Sequence, residues 1–135
     1  MPDTRLFPVV AAALVDGEGR GLLQRRPPGK PHAGLWEFPG GKVEAAETPE
    51  AALVRELAEE LHLRVDPADL LPAAFASVAQ GERHLLLLLY LARRWSGTAQ
   101  AMAADALAWI RPADMADLPM PPADVPLAEA LYRLV

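Results

Sequence analysis

Between Gly41 and Leu63 the chain reads GKVEAAETPEAALVRELAEELHL, and the spacing of its apolar and charged residues fits an amphipathic helix. At about 100° per residue, Leu53, Val54, Leu57, Ala58 and Leu61 fall on one stripe suited to a core. Glu56, Glu59 and Glu60 share an arc of roughly 100° beside it, so acids and core are expected on separate faces. Thr48 suits the N-cap, Pro49 the first helical position and Glu50 the positive N-terminal end, which predicts a helix over about 49–62.

The charges are placed against helix stability. Glu56 and Glu60 repel one turn apart, and Glu59 and Glu60 lie in the last turn, where the helix dipole disfavours anions. Two readings stand: a solvated acidic face with Arg55 as its local ion-pair partner, or a face that meets a cation. The preceding Phe38-Pro39-Gly40-Gly41-Lys42 favours the second, because glycines allow close backbone approach to a ligand. Carboxylates, carbonyls and water are the ligands that Mg²⁺ and Mn²⁺ prefer, and Mg²⁺ usually works with substrate phosphates.

The rest of the chain bounds the possibilities. With 135 residues, 52% hydrophobic, there is enough for one domain spanning 1–135 and too little for two. No cysteine is present, so disulfides and thiolate metal sites are excluded, which suits a reducing compartment; the cytoplasm is expected. Net charge is −5 without a basic block, which argues against a nucleic-acid polymer as partner and leaves a free nucleotide compatible. The apolar stretches Leu6 to Val15 and His84 to Ala92 are too short to span a bilayer and read as buried strands, so no membrane partner is expected. Strands are predicted near 8–15, 21–26, 71–79, 84–93 and Ala106–Ile110. A Pro/Gly-rich loop covers Pro27 to Gly34, a polar loop 96–105, and a last helix runs from about Val125 to Leu134.

Gly41, Glu47, Arg55, Glu56, Leu57, Glu59, Glu60 and Leu63 stand in the register of the Nudix box, G-x5-E-x7-R-E-U-x-E-E-x-G-U with U aliphatic, and the segment resembles that family. His62 replaces the last glycine of the pattern; histidine tolerates φ > 0 better than most residues, at about 1 kcal/mol. Leu35 to Lys42 and Pro122 to Leu127 are similar to the MutT-type branch, which sanitises nucleotide pools, and to members acting on CTP or on oxidised or methylated deoxycytidine triphosphates. The resemblance implies an α/β (α+β) fold with a mixed β-sheet between α-helices. It implies hydrolysis of a nucleoside triphosphate to the monophosphate and pyrophosphate with Mg²⁺ or Mn²⁺, by a monomer or a dimer.

The resemblance also implies roles. Glu56, Glu59, Glu60 and the Gly40 carbonyl would hold the ions; Glu56 would also position the attacking water, with Arg55 locking its carboxylate and Glu47 supporting the loop. Arg26 and Lys42 are candidate nucleotide contacts, with Arg83 and His84 weaker ones; Phe38 and Phe75 belong either to the core or to a base-stacking surface. A further family glutamate falls at Ala103, leaving two alternatives: Asp105 substitutes, or one ion has fewer protein ligands. Asp124 either caps the last helix or reads the base, and as a carboxylate it would accept from an exocyclic amine such as cytosine N4 or from the guanine edge. The competing function is a Nudix-fold binding or regulatory module without efficient catalysis, for which Ala103 and His62 are the support.

Overall fold

The computed structural model describes residues 4–135. Its strands are β1 (Arg5–Leu14), β2 (Gly21–Arg25), β3 (Trp36–Glu37), β4 (Gly40–Lys42), β5 (Leu71–Gln80), β6 (Arg83–Ala92) and β7 (Ala106–Ile110); its helices are α1 (Pro49–Leu61) and α2 (Asp124–Leu134). The strands form two sheets, one of order β4-β1-β6-β5 and one of order β3-β2-β7. In the first, β1 and β6 run parallel from Arg5 opposite Arg83 to Leu14 opposite Ala92, and the outer pairs are antiparallel. This is a mixed α/β architecture.

The central pair is buried on both faces, which is why β6 reads as an almost continuous run of leucines. Successive residues point to opposite faces. Val10, Ala12 and Leu14 of β1 meet Leu53, Leu57 and Leu61 of α1, whereas Ala11 and Ala13 belong to a second core with Leu127 and Leu131 of α2. β1 begins earlier than the apolar pattern suggested, because pairing with β6 carries it out to Arg5. The two short strands β3 and β4 and two 3-10 turns, Pro67–Asp69 and Pro112–Asp117, carry too few residues to show a period.

Helix α1 starts as its sequence dictates: Thr48 Oγ1 accepts from the Ala51 N–H at 3.1 Å, with Pro49 in the first turn. It ends at His62 in the left-handed conformation, φ 58° and ψ 31°, where the His62 N–H bonds the Ala58 carbonyl and the Leu63 N–H the Leu57 carbonyl. That is the double C-terminal closure usually made by glycine. The loop 96–105 then straps this end, its Gln100 and Met102 N–H groups donating to the Leu61 and Glu60 carbonyls. Of the expected core stripe, Ala58 is exposed and Val54 half-buried, and Ala52 is buried in their place. No helix of the described residues is long and apolar enough to cross a membrane.

Candidate active site

Arg55 organises the acidic end. Its Nε and Nη2 donate to the two Glu47 carboxylate oxygens at 2.7 and 2.9 Å, its Nη1 to Glu56 Oε1 at 2.8 Å, and its Nη2 also to the Lys42 carbonyl at 3.2 Å. A planar fork of donors is needed for this set, and a lysine could not replace it. The hydrogen bonds from Arg55 hold the Glu47 carboxyl down at about 2, helped by the Glu44 N–H. Glu47 thus ties loop to helix, and Glu56 is left with one pinned oxygen.

The glycines before the helix make room. A Cβ at Gly41 would stand 2.4 Å from the Glu56 carboxyl carbon, and one at Gly40 would stand 1.9 Å from the Val10 carbonyl oxygen. The Glu56 carboxylate therefore rests on bare backbone.

The three acids do not form one solvated face. The Glu59 side chain is 60% exposed and only 3.4 Å from Arg55 Nη1. Glu60 turns the opposite way, towards β2, where it accepts from Gln24 Nε2 at 2.9 Å. The expected separation of acids from core fails at Glu60, because its arc lies at the edge of the apolar stripe and its long side chain leans over it. Among the described residues no three His, Asp or Glu side chains stand ready as a metal cluster.

The chemistry of these residues nevertheless fits a divalent cation. Glu60 Oε2 is buried with no hydrogen-bond partner. Burial, followed by repulsion from Glu56 and Glu37, pushes its carboxyl well above the usual carboxylate range, and the Gln24 bond offsets only part of this. A hard cation beside Glu56 and Glu60 would remove both penalties.

Glu60, Gly40, Gly41 and Lys42 line a cavity of about 660 Å³, a volume suited to a small molecule. Phe7, Val9 and Leu87 also line it, as do the polar side chains of Arg26, Glu37 and Asp124. Asp124 is buried, and its Oδ2 accepts from the Phe38 N–H at 3.1 Å. It does not cap α2: Ala123 occupies that position and makes no side-chain bond. Burial pushes its carboxyl up to about 7; the Phe38 N–H opposes this, the nearby Glu37 adds to it and Arg26 lowers it. The view of Asp124 as an acceptor only is therefore corrected, since near neutral pH it also exists as a neutral acid able to donate.

The other candidates divide. Arg26 lies in the cavity, its Nε 2.9 Å from Glu37 Oε1 in an ion pair not aligned as a hydrogen bond. Phe38 is a buried core residue at the cavity wall, and Lys42 is at its exposed rim. Arg83 does not line the cavity; its guanidinium lies 4.3 Å from the centre of the Phe7 ring, which does. His84 is bonded to Ser77 Oγ instead of to the cavity. Phe75, on the edge strand β5, is 67% exposed and outside it, in neither the core nor a stacking position.

Asp105 cannot serve as the substitute acid in this arrangement: it accepts from Arg25 Nε at 2.8 Å, and that guanidinium also lies 5.6 Å from the Trp36 ring centre. Two residues were missed, Glu37 and Gln24. Glu37 ends β3 directly before the buried Phe38, and Gln24 is a polar residue closing the apolar run Gly21-Leu22-Leu23; that break in the pattern was the available signal.

The model of the NUDIX domain matches residues 5–131, and the chain belongs to the Nudix hydrolase family. It is 39% identical over 125 residues to the CTP pyrophosphohydrolase of Escherichia coli strain K12, covering 93% of this chain and 91% of that protein. It is 36% identical over 95 residues to the 8-oxo-dGTP diphosphatase of Proteus vulgaris, covering 70% and 83%. Among solved structures, that of the E. coli ORF135 protein is similar with a TM-score of 0.88 and 37% identity, over 99% of this chain and 95% of that one.

Proposed function

We propose that this Nudix hydrolase converts a nucleoside triphosphate, with a cytosine-type or oxidised guanine base, to its monophosphate and pyrophosphate, and so sanitises the nucleotide pool. The observation that carries this reading is that one cavity is lined by Glu60 and the Gly40-Gly41 backbone together with Arg26, Glu37 and Asp124. Relatives with the printed activities on CTP and 8-oxo-dGTP support it. Water adds to phosphorus, the bridging P–O bond breaks, and the electron pair leaves on the bridging oxygen.

Glu56, Glu59, Glu60 and the Gly40 carbonyl would hold Mg²⁺ or Mn²⁺, which when bound neutralises phosphoryl charge and polarises the phosphorus centre. Arg55 fixes Glu56 so that its free oxygen stays oriented towards that site, and Glu56 receives the proton of the attacking water. Glu37 and Asp124 present acceptors to an exocyclic amine, while neutral Asp124 presents a donor to a carbonyl. Arg26 compensates their charge, and Phe7, Val9 and Leu87 hold the ring apart from water.

The test is pyrophosphate release from a panel of canonical and damaged nucleoside triphosphates with Mg²⁺ or Mn²⁺. Release from at least one cytosine or oxidised guanine nucleotide is expected. Failure on the whole panel at every pH, with nucleotide binding retained, would establish the second reading, a binding or regulatory module; the acid-free Ala103 and the engaged Asp105 are its specific support.

A further inference from the structure

A second, smaller cavity of about 200 Å³ adjoins the first, and Arg26, Glu37 and Glu60 line both. A molecule seated in the large cavity thus reaches the small one past these three side chains. The charged residues lining the small cavity are three bases, Arg25, Arg26 and Lys30, and two acids, Glu37 and Glu60. Arg25 is held by Asp105 at 2.8 Å and Arg26 by Glu37 at 2.9 Å. Among the described residues Lys30 pairs with no carboxylate, so its charge is the one left to meet a ligand.

Two features of the sequence preserve that free charge. Loop 96–105 is held against the end of α1 by the Met102 N–H bond to the Glu60 carbonyl, which brings Ala103 and Ala104 to this cavity. A carboxylate at Ala103, where the further family glutamate falls, would bring the acids to three and cancel the excess of bases. Lys30 itself is presented by a loop with a closed neck: the Arg26 N–H donates to the Leu35 carbonyl at 3.0 Å and the Gly34 N–H to the Arg26 carbonyl at 2.9 Å. Pro27, Pro28 and Pro31 restrict the backbone between, so less conformational freedom is lost when the lysine meets a ligand.

We propose that Lys30 binds the two terminal phosphates of the substrate, the part released as pyrophosphate, and so selects nucleoside triphosphates over diphosphates. The proposal rests on the reading of this chain as a triphosphate hydrolase in which Glu60 serves the cation. A lining of both signs suits phosphates that arrive with a divalent cation; a lone cation would meet three bases and a lone anion two acids. An ammonium fits the task, since a compact charge with three rotatable donors on a flexible stem can follow phosphate oxygens. The cavity of about 200 Å³ equals the share of roughly six waters in the liquid, enough for a diphosphate group. A nucleoside diphosphate would place one phosphate there and a monophosphate none.

The test measures binding of inorganic pyrophosphate with Mg²⁺ by titration calorimetry on the full chain, for wild type, Lys30→Met and Lys30→Arg. Lys30→Met keeps most of the stem and removes the charge; it is expected to weaken pyrophosphate about tenfold or more, the size of one lost hydrogen bond to a charged group. Lys30→Arg restores the charge and should stay within threefold of wild type. Lys30 is exposed, so melting temperatures of both variants should match that of wild type.

In turnover on the best substrate of the panel, Lys30→Met should raise the triphosphate KM and the pyrophosphate inhibition constant by a similar factor. Binding of the monophosphate product should stay within twofold, because it does not reach the small cavity. Pyrophosphate affinity of Lys30→Met within twofold of wild type would overturn the proposal, and so would an equal loss for the monophosphate, which marks a general change of surface charge. If wild type hydrolyses a nucleotide but Lys30→Met binds pyrophosphate equally well, only the role of Lys30 fails. If wild type releases pyrophosphate from no nucleotide, the reading of the chain as a triphosphate hydrolase fails and the proposal falls with it.

Discussion

Arg55 and Asp124 carry the clearest consequences for single residues. Arg55 makes bonds to Glu47, Glu56 and the Lys42 carbonyl that no other side chain here supplies. Arg55→Gln should lower kcat about 10–100-fold with little change in nucleotide KM, measured as pyrophosphate release, because it disorders Glu56 without touching Asp124. Asp124 keeps its proton to about pH 7 when folded, against 3.8 ordinarily. The folded chain then binds more protons than the unfolded one across that interval, so the contribution of Asp124 to stability is complete below about pH 4 and is lost as pH rises through about 7. Asp124→Asn should flatten this slope in urea midpoints compared between pH 5 and pH 8, by on the order of 2 kcal/mol; burial of Glu37 raises its pKa too and leaves a residual slope of the same sign. The same variant should shift the kcat/KM ratio of cytosine to oxidised guanine substrates, and an unmoved ratio would remove Asp124 from base recognition.

At the scale of the element, α1 shows what a sequence can announce. Its start, its length and the closure at His62 follow from Thr48, Pro49 and the apolar period, because each acts within a turn or two of itself. His62→Gly should raise the melting temperature, corresponding to about 1 kcal/mol, since the left-handed φ of 58° is strained for histidine and open to glycine. The same period could not reveal that Glu60 leans onto β2, nor that Gln24 and Glu37 share one face, since those facts depend on pairing between strands separated by a loop. Asp124 was legible as a candidate but its state was not: a carboxyl's pKa is set by the Phe38 N–H and the apolar walls around it, which are brought from far along the chain. The short strands β3 and β4 escaped for a simpler reason, having two and three residues.

At the scale of the molecule, the acids Glu56 and Glu59 on α1 and the net charge of −5 disfavour a bare triphosphate. A non-hydrolysable cytosine triphosphate analogue should therefore raise the melting temperature only when Mg²⁺ is present. At a hundredfold excess over Kd that stabilisation corresponds to about 2.7 kcal/mol. A shift of the same size in EDTA would show that phosphate binding does not use the acids.

The parallel pairing of β1 with β6 has a consequence for how the chain reaches this state. Arg5 lies opposite Arg83, far along the sequence, so β1 waits for its central neighbour until the chain has been made as far as β6. Closing so long a loop delays the reward of pairing, and topologies of this kind fold slowly relative to helical bundles. During that interval the edge of β1 that β6 will cover is an unpaired template for other strands, and the yield of folded protein depends on how quickly the leucine strand arrives.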